Sequence, residues 1–140
     1  MQEITTFITS HSLLSIATIV VLLLVMIIEF MRARRNVFNI NPGQVTRLIN
    51  HENALVIDIR QNEVYRKGHI IDANSMNPKD LHQNPKKLEK FKNRPIIVVS
   101  NATTESQKIA ALLLKHGYNA YSLNGGMRAW SEAQMPLVKE

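Results

Sequence analysis

One stretch constrains this chain more than any other. Leu13 to Phe30 reads LLSIATIVVLLLVMIIEF, interrupted only by Ser15, Thr18 and the late Glu29. Taken as Ser12 to Met31 it supplies about 20 residues, roughly 30 Å of helix at about 1.5 Å each, which matches the hydrocarbon core of a bilayer. Its apolar residues fall all round the helix and not on one stripe, so the surface suits lipid. Ser15 and Thr18 can bond back to the helix's own carbonyls. A secretory leader carries its cations before the apolar run and a small-residue cleavage site after it. Here no Lys or Arg precedes position 32, and Arg32, Arg34 and Arg35 follow at once. The expectation is a retained anchor with the amino terminus outside and the carboxyl side in the cytoplasm. Glu29 falls near the cytoplasmic edge, one turn from Arg32.

Four segments follow from this. Residues 1–11 form a short extracytoplasmic terminus, 12–31 a transmembrane helix, 32–39 a basic juxtamembrane linker and 40–140 a cytoplasmic domain. Eight linker residues reach at most about 28 Å, so the domain is held close to the membrane. Hydrophobic residues make up 45% of the chain against 20% charged, enough to build a core. The net charge of +6 comes from 17 Lys and Arg, interleaved with acids beyond the span. No aromatic–basic alternation accompanies them, and nucleic acid is not the expected partner. The chain has no cysteine, which removes disulfides, thiolate metal sites and any thiol nucleophile. The five histidines lack metal-ligand spacing, and no metal or cofactor is expected.

Beyond the linker, strands alternate with helices. Asn41-Pro42-Gly43-Gln44 is a helix start, with Asn as N-cap, Pro at N1 and Gln at N3. Leu55 to Ile59 reads as a buried strand, Gln61 to Lys67 as a short helix, and Gly68 as its left-handed cap. A short strand is expected around Ser75-Met76, then a turn at Asn77-Pro78. Pro85 to Phe91 forms a helical turn or two, with Leu88 and Phe91 inward. Lys86, Lys87, Lys90, Lys92 and Arg94 form a solvated basic face that suits anionic lipid. Ile96 to Val99 is a second buried strand, Ser106 onward a helix ending at Gly117, and Asn119 to Leu123 a third. Gly125-Gly126 is a turn before a last helix, Met127 to Ala133, with Trp130 inward. This alternation predicts a parallel α/β sheet flanked by helices on both faces. Chemistry in such a sheet sits beyond the carboxyl ends of its strands, here at Ser100 to Glu105.

Val56-Ile-Asp58-Ile-Arg60, Glu63-Val-Tyr65 and Gly68-His69-Ile70 resemble the strand–helix–turn signature of the rhodanese family, in order and spacing. Ala73 and Pro78 also fall in place. Leu123-Asn-Gly125-Gly126, Trp130 and Pro136-Leu137 resemble its closing motif. The likeness spans Asn39 to Leu137. It implies a rhodanese-like parallel sheet with an active-site loop after its fourth strand, headed by a nucleophilic cysteine that carries a persulfide cradled by loop N–H groups.

The chain departs from that pattern in the loop Ser100-Asn101-Ala102-Thr103-Thr104-Glu105. Ser100 stands where the resemblance places the cysteine, Thr103 where a glycine is usual and Glu105 where an arginine is frequent. Asp72 also replaces a usual glycine. A thiol is readily made nucleophilic and can hold a second sulfur; a hydroxyl needs an adjacent base and forms no persulfide. Thr103 lacks glycine's tolerance of positive φ. Glu105 sets a negative charge where an anionic donor would lie. Ser100 is therefore a degenerate site position, and no residue is expected to be catalytic.

Asp58, Arg60, Gly68, His69, Gly125, Gly126 and Trp130 are read as framework. Asp58 ends a strand beside amides, Arg60 pairs with it or with Glu63, and His69 fixes the turn after Gly68. The expected function is a bacterial inner-membrane, catalytically inactive docking or scaffolding module. Its partners would be the bilayer, through the anchor, and another membrane or membrane-associated protein. The alternatives are a sulfurtransferase, if Ser100 replaces a native cysteine; a serine hydrolase, if a histidine reaches Ser100; and a small-anion sensor.

Overall fold

The computed structural model describes residues 1–140, except for the side chains of residues 34–37. Two units separate, Met1–Val37 and Phe38–Glu140.

The first unit holds α1 (Gln2–Ser10) and α2 (Ser12–Val37). α2 contains one segment, Ser12–Ala33, long and apolar enough to cross a membrane. From Leu13 to Met31 its large apolar side chains are all exposed, as a lipid-facing helix requires. Thr18 Oγ1 donates to the Leu14 carbonyl at 2.9 Å, so that hydroxyl needs no water. Glu29 and Arg32 form an exposed i,i+3 pair at 3.8 Å. The helix does not stop at Met31. Residues 32–37 of the expected basic juxtamembrane linker continue it to Val37, since no glycine or proline interrupts the run. The side chains of Arg34 and Arg35 lie outside the described residues. Residues 2–10, left without structure in the sequence reading, are helical, and the hydroxyls of Thr5, Thr6, Thr9 and Ser10 donate to carbonyls three or four residues back.

The second unit is built on five strands: β1 (Asn39–Ile40), β2 (Leu55–Asp58), β3 (Asn74–Ser75), β4 (Ile96–Val99) and β5 (Ala120–Leu123). Their order is β1-β5-β4-β2-β3 and every pairing is parallel. β4 lies at the centre. Leu55 pairs with Ile96 on one side, and Ile96 with Ala120 on the other. Successive side chains of a strand point to opposite faces, and both faces of this sheet are covered. Val56, Ile97, Val99 and Leu123 join Val45, Tyr65 and Trp130 in one core layer. Leu55, Ile57, Ile96 and Val98 join Leu81, Leu88, Ile109 and Leu113 in the other. The uninterrupted apolar runs of β2 and β4 are thus the mark of strands packed on two sides.

The helices are α3 (Pro42–Glu52), α4 (Asn62–Lys67), α5 (Pro78–Gln83), a 3₁₀ turn (Pro85–Phe91), α6 (Thr103–Lys115) and α7 (Gly126–Glu132). α3 starts with the expected capping box. Asn41 Oδ1 accepts from Gln44 N at 2.8 Å, and Gln44 Oε1 from Asn41 N at 2.9 Å. Where only a turn was expected at Asn77-Pro78, α5 forms. Asn77 Oδ1 caps Lys79 N at 2.9 Å, and Leu81 is fully buried. Asn39, assigned to the linker, lies in edge strand β1. Gly68 is not a left-handed cap: its φ of 166° is extended. The cause is tertiary, because His69 is drawn into an antiparallel bridge with Val138, at 2.9 Å in both directions.

Candidate functional site

Ser100 follows the last residue of β4, and α6 begins three residues later. The connection is shorter than expected, since Thr103, Thr104 and Glu105 form the first turn of the helix and not part of a loop. Helical φ is negative, so Thr103 has no need of glycine's freedom; the non-glycine residues with positive φ are Asn53, Asp72 and Gln134. Ala102, at the N-cap, offers no side-chain acceptor, which leaves N–H groups of the first turn uncapped.

The Ser100 side chain is turned inward. The residue is fully buried, and its Oγ donates to the Ala102 carbonyl. No histidine ring hydrogen-bonds to it among the described residues. His69 Nδ1 instead lies 2.8 Å from the Tyr65 carbonyl and His116 Nδ1 2.9 Å from that of Leu112. A serine without a base is not an activated nucleophile.

A second layer of hydroxyls braces this connection. Ser106 Oγ donates to the Thr103 carbonyl at 3.0 Å, which leaves Ser122 Oγ to donate to Ser106 Oγ at 2.8 Å. Both serines are completely buried. Thr103 Oγ1 accepts from Gly125 N at 3.0 Å, and the Ser100 carbonyl accepts from Met127 N at 3.1 Å. The Gly125-Gly126 turn is thereby stitched to the head of α6. Gly126 has φ 58°, and a Cβ built there would stand 2.4 Å from the Ser100 carbonyl oxygen. Neither its conformation nor its space admits a side chain.

Asp58, Arg60, Gly68 and His69 form a separate framework. Asp58 and Arg60 make a bidentate pair, with Arg60 Nη2 2.6 Å from Asp58 Oδ2 and Arg60 Nε 2.9 Å from Oδ1. Oδ1 also accepts from the Arg60 backbone N–H at 3.0 Å, and Nη2 donates to the Gly68 carbonyl at 2.8 Å. Arg60 thus pairs with Asp58 and not with Glu63. His69 stacks on Tyr65 with ring centroids 3.8 Å apart, and Tyr65 Oη donates to the Ala73 carbonyl at 2.6 Å. Burial, with the negative charges of Glu140 and Asp58, pushes the Tyr65 phenol above its usual range. Trp130 is buried, and its Nε1 donates to the Pro136 carbonyl at 3.0 Å.

Between these groups lies a polar cleft of about 580 Å³, lined by Ile59, Arg60, Gln61, Asn62, Ser75, Met76, Asn77, Pro78, Asn101 and Glu105. It joins the carboxyl ends of the strands to the start of α6, where open α/β sheets hold ligands. Asn101 and Glu105 bring the Ser100 connection to it. Among the described residues no three His, Asp or Glu are arranged to hold a metal. Sequence reasoning missed the Ser106–Ser122 pair and the amides of Asn62 and Asn77. Ser106 and Ser122 occupy core positions of a helix and a strand, a signal that suggests a buried hydroxyl without naming its partner.

A family model described as the Rhodanese-like domain matches residues 41–133. The chain is 38% identical over 141 residues to the uncharacterized protein YibN of Escherichia coli (strain K12), covering 99% of each. It is 30% identical over 102 residues to thiosulfate sulfurtransferase GlpE of Pseudoalteromonas translucida (strain TAC 125), covering 72% of this chain and 95% of that one. The crystal structure of a rhodanese-related protein from Thermoplasma volcanium shares the fold with a TM-score of 0.66 at 24% identity, over 73% of this chain and 98% of that one. With its parallel sheet, the connection after β4 and the Asp58–Arg60 framework in place, this chain belongs to the rhodanese-like family.

Proposed function

We propose that this protein is a membrane-tethered rhodanese-like domain without sulfurtransferase activity, acting as a docking module at the cytoplasmic face of a bacterial inner membrane. One observation carries the reading: the chain has no cysteine, and the residue that follows β4 is a buried serine whose hydroxyl is tied to the Ala102 carbonyl. A persulfide relay needs a thiolate to take up the sulfane atom and a sulfur to hold it. An oxygen does neither. The framework of Asp58, Arg60, Gly125 and Gly126 is present without the thiol, which supports a role for the surface over a reaction. The anchor supports a partner at the membrane, and the arginines after it support an orientation with the amino terminus outside.

The test is photo-crosslinking in cells from Asn101 and from the anchor helix, followed by identification of the attached protein. A single reproducible partner supports docking; no partner at either position overturns it. The second reading is sulfur transfer, favoured by the resemblance to the sulfurtransferase GlpE. A cyanide-dependent thiosulfate assay separates the two: background rates are expected, and turnover above background would establish the enzyme.

A further inference from the structure

The cleft beside Ser100 has an electrostatic character that follows from its lining. Arg60 is the one cationic residue in that lining. Its side chain is only 6% exposed, and Asp58, 1% exposed, holds it through both carboxylate oxygens, with the Gly68 carbonyl as a further acceptor. The pair is neutral as a unit, so the guanidinium has no charge left for an incoming anion. Gln61, Asn62, Ser75, Asn77 and Asn101 are polar and uncharged. Glu105 remains. It is exposed, lines the cleft, and makes no ion pair or hydrogen bond among the described residues.

The uncapped first turn of α6 opposes this charge, but by less. A helix N-terminus is equivalent to about half a positive charge. A carboxylate carries a full negative one, leaving the cleft negative. Amide oxygens and a hydroxyl around a single carboxylate suit a group rich in N–H donors.

We propose that the cleft receives a lysine or arginine side chain of the docking protein, with Glu105 as its counter-ion and the amides of Asn62, Asn77 and Asn101 as acceptors. This rests on the docking reading above and gives it a chemistry: the partner presents a cation on an exposed segment.

The full-length protein in detergent micelles is titrated with N-acetylated tripeptide amides whose central residue is arginine, lysine or citrulline, the neutral isostere of arginine. The side-chain amide NMR signals of Asn77 and Asn101 are followed. Arginine and lysine probes are expected to shift them saturably, and citrulline to bind roughly threefold to fivefold more weakly, the range of a partly exposed ion pair. Glu105→Gln is expected to erase that discrimination, as is raising salt from about 0.05 M to about 0.5 M. Equal binding of arginine and citrulline, unchanged discrimination in Glu105→Gln, or displacement of the arginine probe by thiosulfate would each overturn the proposal. A Glu105 that only complemented the dipole of α6 would change stability and leave the discrimination intact. Failure of this inference is distinguishable from failure of docking. A partner still captured at Asn101, unaffected by Glu105→Gln, leaves docking standing and removes the cation.

Discussion

Asp58 Oδ2 and Arg60 Nη2 meet at 2.6 Å in a pair whose side chains are 1% and 6% exposed, which makes it the most enclosed ion pair among the described residues. Removing one partner of such a pair strands the other charge away from water, at a cost of about 3–5 kcal/mol. Arg60→Ala is therefore expected to lower the unfolding free energy of the domain by that amount in a urea titration. A double substitution, Asp58→Leu with Arg60→Met, is expected to cost clearly less than Arg60→Ala. If the single change were the milder one, the pair would not be buried as described.

Gly126 and Gly117 give a matched comparison. Both have positive φ, 58° and 85°. A Cβ at Gly126 meets the Ser100 and Asn101 carbonyl oxygens at 2.4 and 2.9 Å, whereas at Gly117 it meets only the end of Lys92, at 3.5 Å. Gly117→Ala is expected to cost about 1–2 kcal/mol, the left-handed penalty alone. Gly126→Ala adds a backbone collision and is expected to cost more, and to disturb the amide signals of Asn101 and Ala102. Equal midpoints for the two variants would contradict the packing of α7 on the connection.

Ser100→Cys tests whether the missing sulfur is the whole difference. The side chain points at the Ala102 carbonyl in a fully buried residue, and Glu105 lines the adjoining cleft. Thiosulfate turnover is expected to stay at background in Ser100→Cys. A rate appearing in that single variant would show that the surroundings are still competent.

Tyr65 links stability to alkaline pH. Its folded-state pKa is raised above the ordinary 10.0, by burial first and then by Glu140 and Asp58. The native state thus favours the protonated phenol. Its contribution is fully present below pH 10 and is lost as pH rises from there through the folded value. Unfolding free energy measured across that window is expected to fall. Tyr65→Phe, which also loses the bond to the Ala73 carbonyl, is expected to fall less steeply. Tyr118, raised by burial and by Glu89, accounts for a remaining slope.

The anchor is tested by extraction. The wild-type chain is expected to stay with membranes in alkaline carbonate. Leu22→Arg with Val25→Arg adds roughly 5–7 kcal/mol against insertion and is expected to release it. Wild-type release would remove the tether from the proposed function.

Local chemistry was enough to read much of this protein from its residues. The apolar run of α2, the capping box at Asn41, the two-sided strands Leu55 to Asp58 and Ile96 to Val99, and the absence of sulfur are each statements about neighbours in the chain. The order of the sheet's layers follows from alternation, because a strand lined by Val and Ile on both faces must be covered twice. What sequence distance hides is pairing between remote segments. Gly68 is extended because Val138 bridges its neighbour, seventy positions away in number and adjacent in space. α6 starts at Thr103 where a Thr103 hydroxyl meets Gly125 N and a Ser106 hydroxyl meets Ser122, contacts no periodicity encodes. The sequence alone determined that oxygen, not sulfur, stands where the connection to this helix begins. Only the tertiary structure decided that this oxygen faces inward and that Glu105 lines the cleft without an ion pair among the described residues, since both depend on which groups the sheet brings within hydrogen-bond reach.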